Sequence, residues 1–173
     1  MKAQMPTTRK KLLASPTEKL QKLPDDKGYE AFLRGLELVS LGMKDCSSKV
    51  QRWPLFRALR GNARPNRKFD ERYRLSSFEP DHFDCEGDFT LTVVGEGERL
   101  LLEVEVTFEA HLHGKKPVNK IFAEQFAQSD FRLIVLPYAR YFISDITAQM
   151  SVPPIVIPLI ATQNSHIPGH NEN

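Results

Sequence analysis

The chain has 173 residues, of which 40% are hydrophobic and 27% are charged, and its formal net charge is +2. This composition is typical of one soluble globular domain with tails, and it excludes a wholly disordered chain. Two cysteines, Cys46 and Cys85, exclude a domain built on several disulfides and favour a reduced, cytoplasmic protein whose thiols are structural.

Residues 1–27 form a polar, lysine-rich segment interrupted by three prolines. Such a segment cannot bury a core, so we expect a flexible N-terminal tail. After its first charges only Leu12 and Leu13 follow as an apolar run, which is far too short for a signal peptide. We therefore expect the protein to remain in the cytoplasm, where it is made.

The predicted domain covers residues 28–160 and begins with a short helix. Tyr29, Phe32 and Leu33 continue to Leu36 in the i, i+3, i+4, i+7 spacing of one helical face. Beyond that face, residues 36–50 favour a strand, although their periodicity alone does not separate a strand from a helix.

Residues 52–68 contain several turn-forming pairs, such as Trp53-Pro54, and we expect a loop there. Basic residues continue from it to position 74, with aromatic residues between them. This basic 52–74 loop could bind single-stranded nucleic acid or an acidic peptide, so a nucleic-acid-binding or regulatory module is the alternative hypothesis. Its members are Arg52, Arg57, Arg60, Arg64, Arg67, Lys68, Arg72 and Arg74, with Trp53, Phe56 and Phe69.

Two long segments, 83–94 and 99–112, alternate between apolar and polar residues. Alternation of this length predicts an antiparallel sheet with one apolar and one solvated face. The short connection Gly95-Glu96-Gly97 predicts that the two strands form a hairpin. A further strand is expected near 70–79.

Residues 130–149 are predicted to form a helix that is apolar on most of its surface. Its polar residues are expected in one narrow stripe, so one sheet cannot cover the remainder and a second copy of the chain must. Pro137 is expected to kink this helix or to mark its start. The polar stripe is Arg132, Arg140, Ser144 and Thr147, and the predicted oligomer interface is Tyr138, Tyr141, Phe142 and Ile146.

After the helix, Pro153-Pro154 is expected to end the helical segment. Residues 155–160 are predicted to form an extended apolar segment, and residues 161–173 a flexible C-terminal tail.

The candidate reactive residues lie on the polar side of the second long strand. His111 and His113 with Glu109 could hold a divalent metal, and Glu103, Glu105 and Glu109 could serve as paired acids and bases. A flat, solvated sheet face with no cleft favours ordinary surface roles for all of them. We therefore predict no catalytic site, no metal site, no cofactor and no enzymatic activity.

Four local motifs of the chain resemble the SecB export-chaperone family. The most specific is Pro137-Tyr138-Ala139-Arg140, followed by a helix and the proline-containing exit Val152-Pro153-Pro154. The others are Leu101-Leu102-Glu103-Val104, Lys44-Asp45 and the turn at Gly114. The resemblance covers residues 36–160 and preserves the order of the elements.

This resemblance implies an α+β fold, with a four-stranded antiparallel sheet packed against a long C-terminal helix. It also implies a homotetramer built as a dimer of dimers, and an ATP-independent chaperone that holds non-native polypeptide in grooves beside the helices. Apolar area contributes about 25 cal/mol per Å² to such binding without sequence specificity. The candidate groove residues are Tyr73, Leu75, Phe78, Phe122 and Phe126.

In the family, the SecA motor docks on an acidic sheet face and on a C-terminal tail. Asp45, Leu101 and Glu103 match the docking positions, but Lys49 stands where an acidic residue is expected. The tail also differs from the motor-binding tail. In these respects the chain is similar to the divergent SecB-like chaperones encoded with toxin–antitoxin pairs. We therefore favour a dedicated client, such as an antitoxin, over secretory precursors and SecA.

Overall fold

The computed structural model describes residues 26–61, 65–151 and 155–157. The predicted tails, apart from residues 26 and 27, lie outside this range, as do Pro153-Pro154 and positions 158–160. The elements are α1 Asp26–Arg34, β1 Leu36–Val50, α2 Arg52–Arg60, β2 Asn66–Phe78, β3 His82–Val94, a 3-10 turn Glu96–Glu98, β4 Leu100–Gly114, α3 Lys120–Gln128 and α4 Phe131–Gln149.

The four strands form one antiparallel sheet in the order β1-β4-β3-β2. Apolar side chains of β3 and β4 face the helices, as where Phe89 pairs with Val106, and polar ones face outward, as where Thr90 pairs with Glu105. The 3-10 turn joins these strands, and Gly97 adopts a φ of +65° that favours glycine. The predicted α+β class, the period-two strands and their hairpin are confirmed.

Strand β1, which periodicity left open, carries two bulges. Its pairing with β4 shifts between Leu38 and Ser40 and again between Met43 and Asp45. Each bulge inserts one residue and turns the following side chains to the other face. The apolar residues that pack inward are therefore spaced by four or five positions: Leu36, Leu41, Cys46 and Val50.

The predicted loop at 52–68 and the basic 52–74 loop are wrong over residues 52–60 and from residue 66 on, because α2 and β2 occupy them. Arg64 lies outside the described residues. Pro54 is the third residue of α2, where a backbone N–H has no partner within the helix, so proline is tolerated. Leu55, Ala58 and Leu59 share the inner side of α2, and Leu55 is fully buried. This i, i+3, i+4 spacing was the missed helical signal.

Helices α3 and α4 supply the core residues that pack against the apolar face of the sheet. Phe131 at the start of α4 is fully buried between Phe126 and Tyr73, with ring centroids 6.4 Å and 6.2 Å away. Burial of such a side chain contributes about 1.5–3 kcal/mol. No helix in the described part of the chain is long and apolar enough to cross a membrane.

The predicted polar stripe of α4 is only partly exposed to solvent. Thr147 is fully buried and donates hydrogen bonds to the carbonyl oxygens of Ile143 and Ser144 at 2.8 and 3.0 Å. This local hydrogen bonding lets a hydroxyl occupy the apolar face, which the helical wheel could not reveal. Arg132, Arg140 and Ser144 are half-buried.

Helix α4 continues through Pro137 instead of starting there. The proline removes the N–H that would bond the carbonyl of Leu133, but both residues are exposed and water can replace that bond.

Candidate functional site

The five predicted groove residues lie on two elements that pack against each other, β2 and α3. Tyr73, Leu75 and Phe78 of β2 are half-buried, as is Phe122 of α3. Phe126 is buried and belongs to the core. The structure therefore places four of the five on two adjacent elements as partly exposed apolar side chains, and assigns Phe126 to the core.

Two residues of α1 extend this surface, and sequence reasoning did not include them. Tyr29 and Phe32 each place a ring 5.7 Å from the ring of Phe122. The contact joins residues about 90 positions apart, so local spacing showed only that α1 has an apolar face. We call Tyr29, Phe32, Tyr73, Leu75, Phe78 and Phe122 the aromatic surface.

The polar atoms of the aromatic surface are bonded within the protomer. The Tyr29 hydroxyl donates a 2.6 Å hydrogen bond to Asp130, and the Tyr73 hydroxyl donates one of 2.9 Å to Glu71. Burial and these carboxylates raise the pKa of both tyrosines, which therefore stay protonated. Arg132 Nε donates to Glu71 at 2.7 Å. The surface thus offers apolar area rather than a reactive group.

The four predicted interface residues of α4 divide into two pairs. Tyr138 is 55% exposed and Tyr141 76% exposed. Phe142 and Ile146 are half-buried and pack against the core, and Phe142 lies 6.3 Å from Phe108 between ring centroids. Leu133, 72% exposed, shares the outer side of the helix with the two tyrosines. This outer side is a second apolar surface of the protomer.

The three predicted motor-docking residues are presented unequally. Asp45 is exposed on β1. Leu101 is only 4% exposed, because it packs against the backbone of Gly95 at the base of the hairpin. Glu103 accepts a 2.6 Å hydrogen bond from Lys49, the residue that replaces the expected acidic one.

A row of ion pairs crosses the outer face of all four strands. Glu86 of β3 is 5% exposed and accepts hydrogen bonds from Lys44 of β1 and Arg74 of β2. Lys44 also donates to Glu109 of β4 at 3.0 Å. The hydrogen bond from Lys44 and the charge of Arg74 lower the pKa of Glu86 despite its burial. Lys44 can reach both carboxylates because it is the extra residue of the second bulge.

The candidate reactive groups on this face are held in similar contacts. Glu105 accepts from Ser47 at 3.1 Å, and His111 is hydrogen-bonded to Asp84 through Nδ1. Glu109, the third member of the candidate metal set, is bonded to Lys44. Within the described ranges, no three His, Cys, Asp or Glu side chains are grouped to hold a metal ion.

Helix α2 carries the last distinctive surface. Its outer side presents Trp53, which is 74% exposed, beside Phe56 at 6.4 Å between ring centroids. The guanidinium of Arg60 lies 4.3 Å from the centre of the Phe56 ring, a cation–π distance. With Arg52 and Arg57, these residues form what we call the α2 surface.

Comparison with known proteins identifies the fold. No family model matches this chain, and no curated protein matches it. Among solved structures, the Mycobacterium tuberculosis SecB-like chaperone Rv1957, in complex with a ChAD peptide from the Rv1956 HigA1 antitoxin, matches with a TM-score of 0.59 and 14% identity. The match covers 78% of this chain and 98% of that one. The chain therefore has a SecB-like fold.

A protein of unknown function from Streptococcus agalactiae is similar over 72% of this chain and 97% of its own, with 9% identity. Its TM-score of 0.40 is too low to bear on the fold.

Proposed function

We propose that this protein is a non-enzymatic chaperone that holds non-native polypeptide without ATP. The observation that carries the proposal is the aromatic surface, a partly exposed apolar area whose hydroxyls are already hydrogen-bonded within the protomer. A SecB-like chaperone of the same fold binds an antitoxin peptide, which supports the same class of ligand here.

The aromatic surface can hold a client polypeptide through buried apolar area alone. A client segment that covers Tyr73, Leu75, Phe78 and Phe122 removes apolar side chains from water, at about 25 cal/mol per Å². Release follows from competition with the client's own folding, because that folding buries the same apolar residues. A hydrolysable nucleotide is therefore unnecessary to the cycle.

The outer side of α4 supports assembly. Leu133, Tyr138 and Tyr141 together expose an apolar strip on a helix that already covers the core with its inner side. A second copy is the most economical cover, because the same strip on both copies makes a self-complementary contact. We propose a cytoplasmic homotetramer, a dimer of dimers, in which α4 lies at the centre.

The client is proposed to be a dedicated polypeptide such as an antitoxin. Two of the three motor-docking candidates are engaged within the protomer: Leu101 is buried, and Glu103 is paired with Lys49. Only Asp45 remains exposed, so docking to SecA and delivery of secretory precursors have less support.

The proposal is tested by aggregation of a chemically denatured model client without nucleotide, followed by light scattering. We expect the protein to suppress aggregation near one tetramer per client. The double variant Phe78→Ala/Phe122→Ala should lose most of this activity with an unchanged circular dichroism spectrum. The matched control is Ile121→Ala/Val156→Ala, which removes two exposed apolar side chains outside the aromatic surface. No suppression by the wild type, or equal loss in both variants, would contradict the proposal.

The client class is tested by purifying the protein from its native cells with its bound polypeptides, followed by mass spectrometry. One dominant small partner is the expected result. A broad set of secretory precursors would contradict the dedicated client.

A further inference from the structure

The outer side of α2 alternates cations with aromatic rings. At 100° per residue, Arg52, Phe56, Arg60, Trp53 and Arg57 follow one another around about 140° of the helix surface. The opposite side holds Leu55, Ala58 and Leu59, which anchor the helix to the core. Trp53, Arg57 and Arg60 therefore face away from the core, whereas Arg52 and the half-buried Phe56 lie at the margin of the inner side.

The three arginines of the α2 surface differ in their pairing from the basic residues on the outer face of the sheet. Among the residues that the structure describes, no carboxylate oxygen lies within 4.0 Å of Arg52, Arg57 or Arg60. The contrast with the outer face of the sheet is sharp, because there Lys44, Lys49 and Arg74 are all paired. Within the described ranges, the α2 surface thus offers guanidinium groups that can bind an external carboxylate, beside a tryptophan that is 74% exposed.

The size of the surface limits what it can bind. From Arg52 to Arg60 the helix rises about 12 Å, which equals about four residues of an extended peptide. Non-specific sites for single-stranded nucleic acid span roughly 4–16 nucleotides along a continuous basic groove. The short α2 surface therefore suits a peptide segment better than a nucleic-acid strand.

Acidic residues also interrupt the basic area at one end. Gln51, just before α2, donates its N–H to Leu101 and accepts from Arg99, so the helix adjoins the hairpin. That hairpin exposes Glu96 and Glu98, which would repel any anion at the Arg52 end of α2, so an acidic ligand is confined to the end that carries Arg57 and Arg60.

We propose that the α2 surface selects acidic, apolar segments of the client polypeptide. Client carboxylates pair with Arg57 and Arg60 through charge-assisted hydrogen bonds, and a neighbouring apolar side chain packs on Trp53. The inference rests on the proposed chaperone function and adds a charge preference to it. The aromatic surface supplies area for any unfolded segment, whereas the α2 surface distinguishes acidic segments from basic ones.

Trp53 provides the readout, because it is the only tryptophan of the chain and is largely exposed. The probe is a tryptophan-free peptide of leucine, phenylalanine, aspartate and glutamate, compared with a counterpart in which lysine replaces the acidic residues. We expect only the acidic peptide to shift the Trp53 emission to shorter wavelength and to protect it from iodide. Anisotropy of labelled peptides should show about tenfold tighter binding of the acidic peptide at low salt.

Two double variants of equal net charge test the arginines. Arg57→Gln/Arg60→Gln should abolish the preference for the acidic peptide. Arg34→Gln/Arg72→Gln removes two exposed arginines elsewhere and should retain it. Both variants should still suppress aggregation of the model client, since the aromatic surface is intact.

Three outcomes would overturn the inference: equal binding of both peptides, a preference that persists in Arg57→Gln/Arg60→Gln, or tighter binding of poly-deoxythymidine than of the acidic peptide. If the wild type also fails to hold the model client, the proposed function itself fails. If it holds the client without a charge preference, only the role of the α2 surface is lost.

Discussion

The backbone N–H of Ile155 donates a 3.1 Å hydrogen bond to the hydroxyl of Thr147, in a region where both residues are buried. The same hydroxyl donates to the carbonyl of Ile143 at 2.8 Å, so one side chain connects α4 to the segment that follows it. Ile155 and Ile157 then point into the core and Val156 points outward, as the alternation of an extended segment requires.

The first prediction removes this connection. Thr147→Val keeps the shape of the side chain but leaves the N–H of Ile155 buried without an acceptor, so we expect a loss of about 1–3 kcal/mol in the free energy of unfolding by urea. Thr147→Ser retains the hydroxyl and should lose less. Equal stability of Thr147→Val and the wild type would show that the segment is not held by this bond.

A second prediction concerns assembly through the outer side of α4. Tyr141→Asp places a charge at a position that is 76% exposed in the protomer, so the fold should survive while the oligomer dissociates. Light scattering should then give a mass of at most about twice 19.8 kDa, against about four times that value for the wild type. Tyr141→Phe is the control. Ile146 is a poorer target because it also packs against the core. An intact oligomer in Tyr141→Asp would show that the outer side of α4 is not the interface.

The third prediction is a loss of stability in mildly alkaline solution. Burial raises the pKa of the Cys85 thiol from 9.0 to about 12. Above pH 9 the unfolded chain loses this proton while the folded chain keeps it, so stability decreases as pH rises towards 12, by at most about 1.4 kcal/mol per pH unit. The raised pKa of Tyr29 and of Tyr73 adds to the effect from about pH 9 upward, because an unfolded tyrosine is half ionised near pH 10.

The interval from about pH 8 to 9 therefore reports mainly on the thiols. Urea unfolding at several pH values should show a clearly smaller slope in Cys85→Ala, and a slope closer to that of the wild type in Cys46→Ala, whose thiol is less buried. An unchanged slope in Cys85→Ala would exclude the buried thiol as the cause.

A fourth prediction compares two glycines of the sheet. A methyl group at Gly114 would overlap the side chain of Val118 and approach the carbonyl oxygen of Lys116 to 2.8 Å. Gly114→Ala should therefore reduce stability by about 1–3 kcal/mol in urea titrations. At Gly42 the added methyl meets no atom within 4 Å, so Gly42→Ala should stay within about 0.5 kcal/mol of the wild type. Similar losses of stability at both positions would indicate that the strands do not tolerate replacement of glycine in general, and would contradict the role of Val118.

Strands β3 and β4 could be predicted from the sequence because one face of each is solvated and the other packs on helices, which leaves a period of two. For β1 the sequence favours a strand but its periodicity does not decide, because the bulges at Val39 and Lys44 change the inward face twice within 15 residues. Helix α2 escapes prediction because Pro54 usually interrupts a helix, whereas here it lies in the first turn.

The residues of a candidate site could be predicted only where the family resemblance already indicates which elements pack together. Residues of β2 and α3 were expected together from the resemblance, and the structure places them side by side. The addition of Tyr29 and Phe32 depends on the packing of α1 against α3, which no local pattern records. The covered position of Leu101 depends likewise on the hairpin backbone at Gly95.

The strand order β1-β4-β3-β2 has a consequence for biosynthesis. In the described sheet, the first strand to leave the ribosome pairs only with the last, so it must wait until Gly114 has been made, whereas β2, β3 and β4 can associate as consecutive hairpins. Long-range closure of this kind slows folding and prolongs exposure of the unpaired strand. The nascent chain of this protein therefore passes through a period in which its own N-terminal half is a candidate for the help of chaperones.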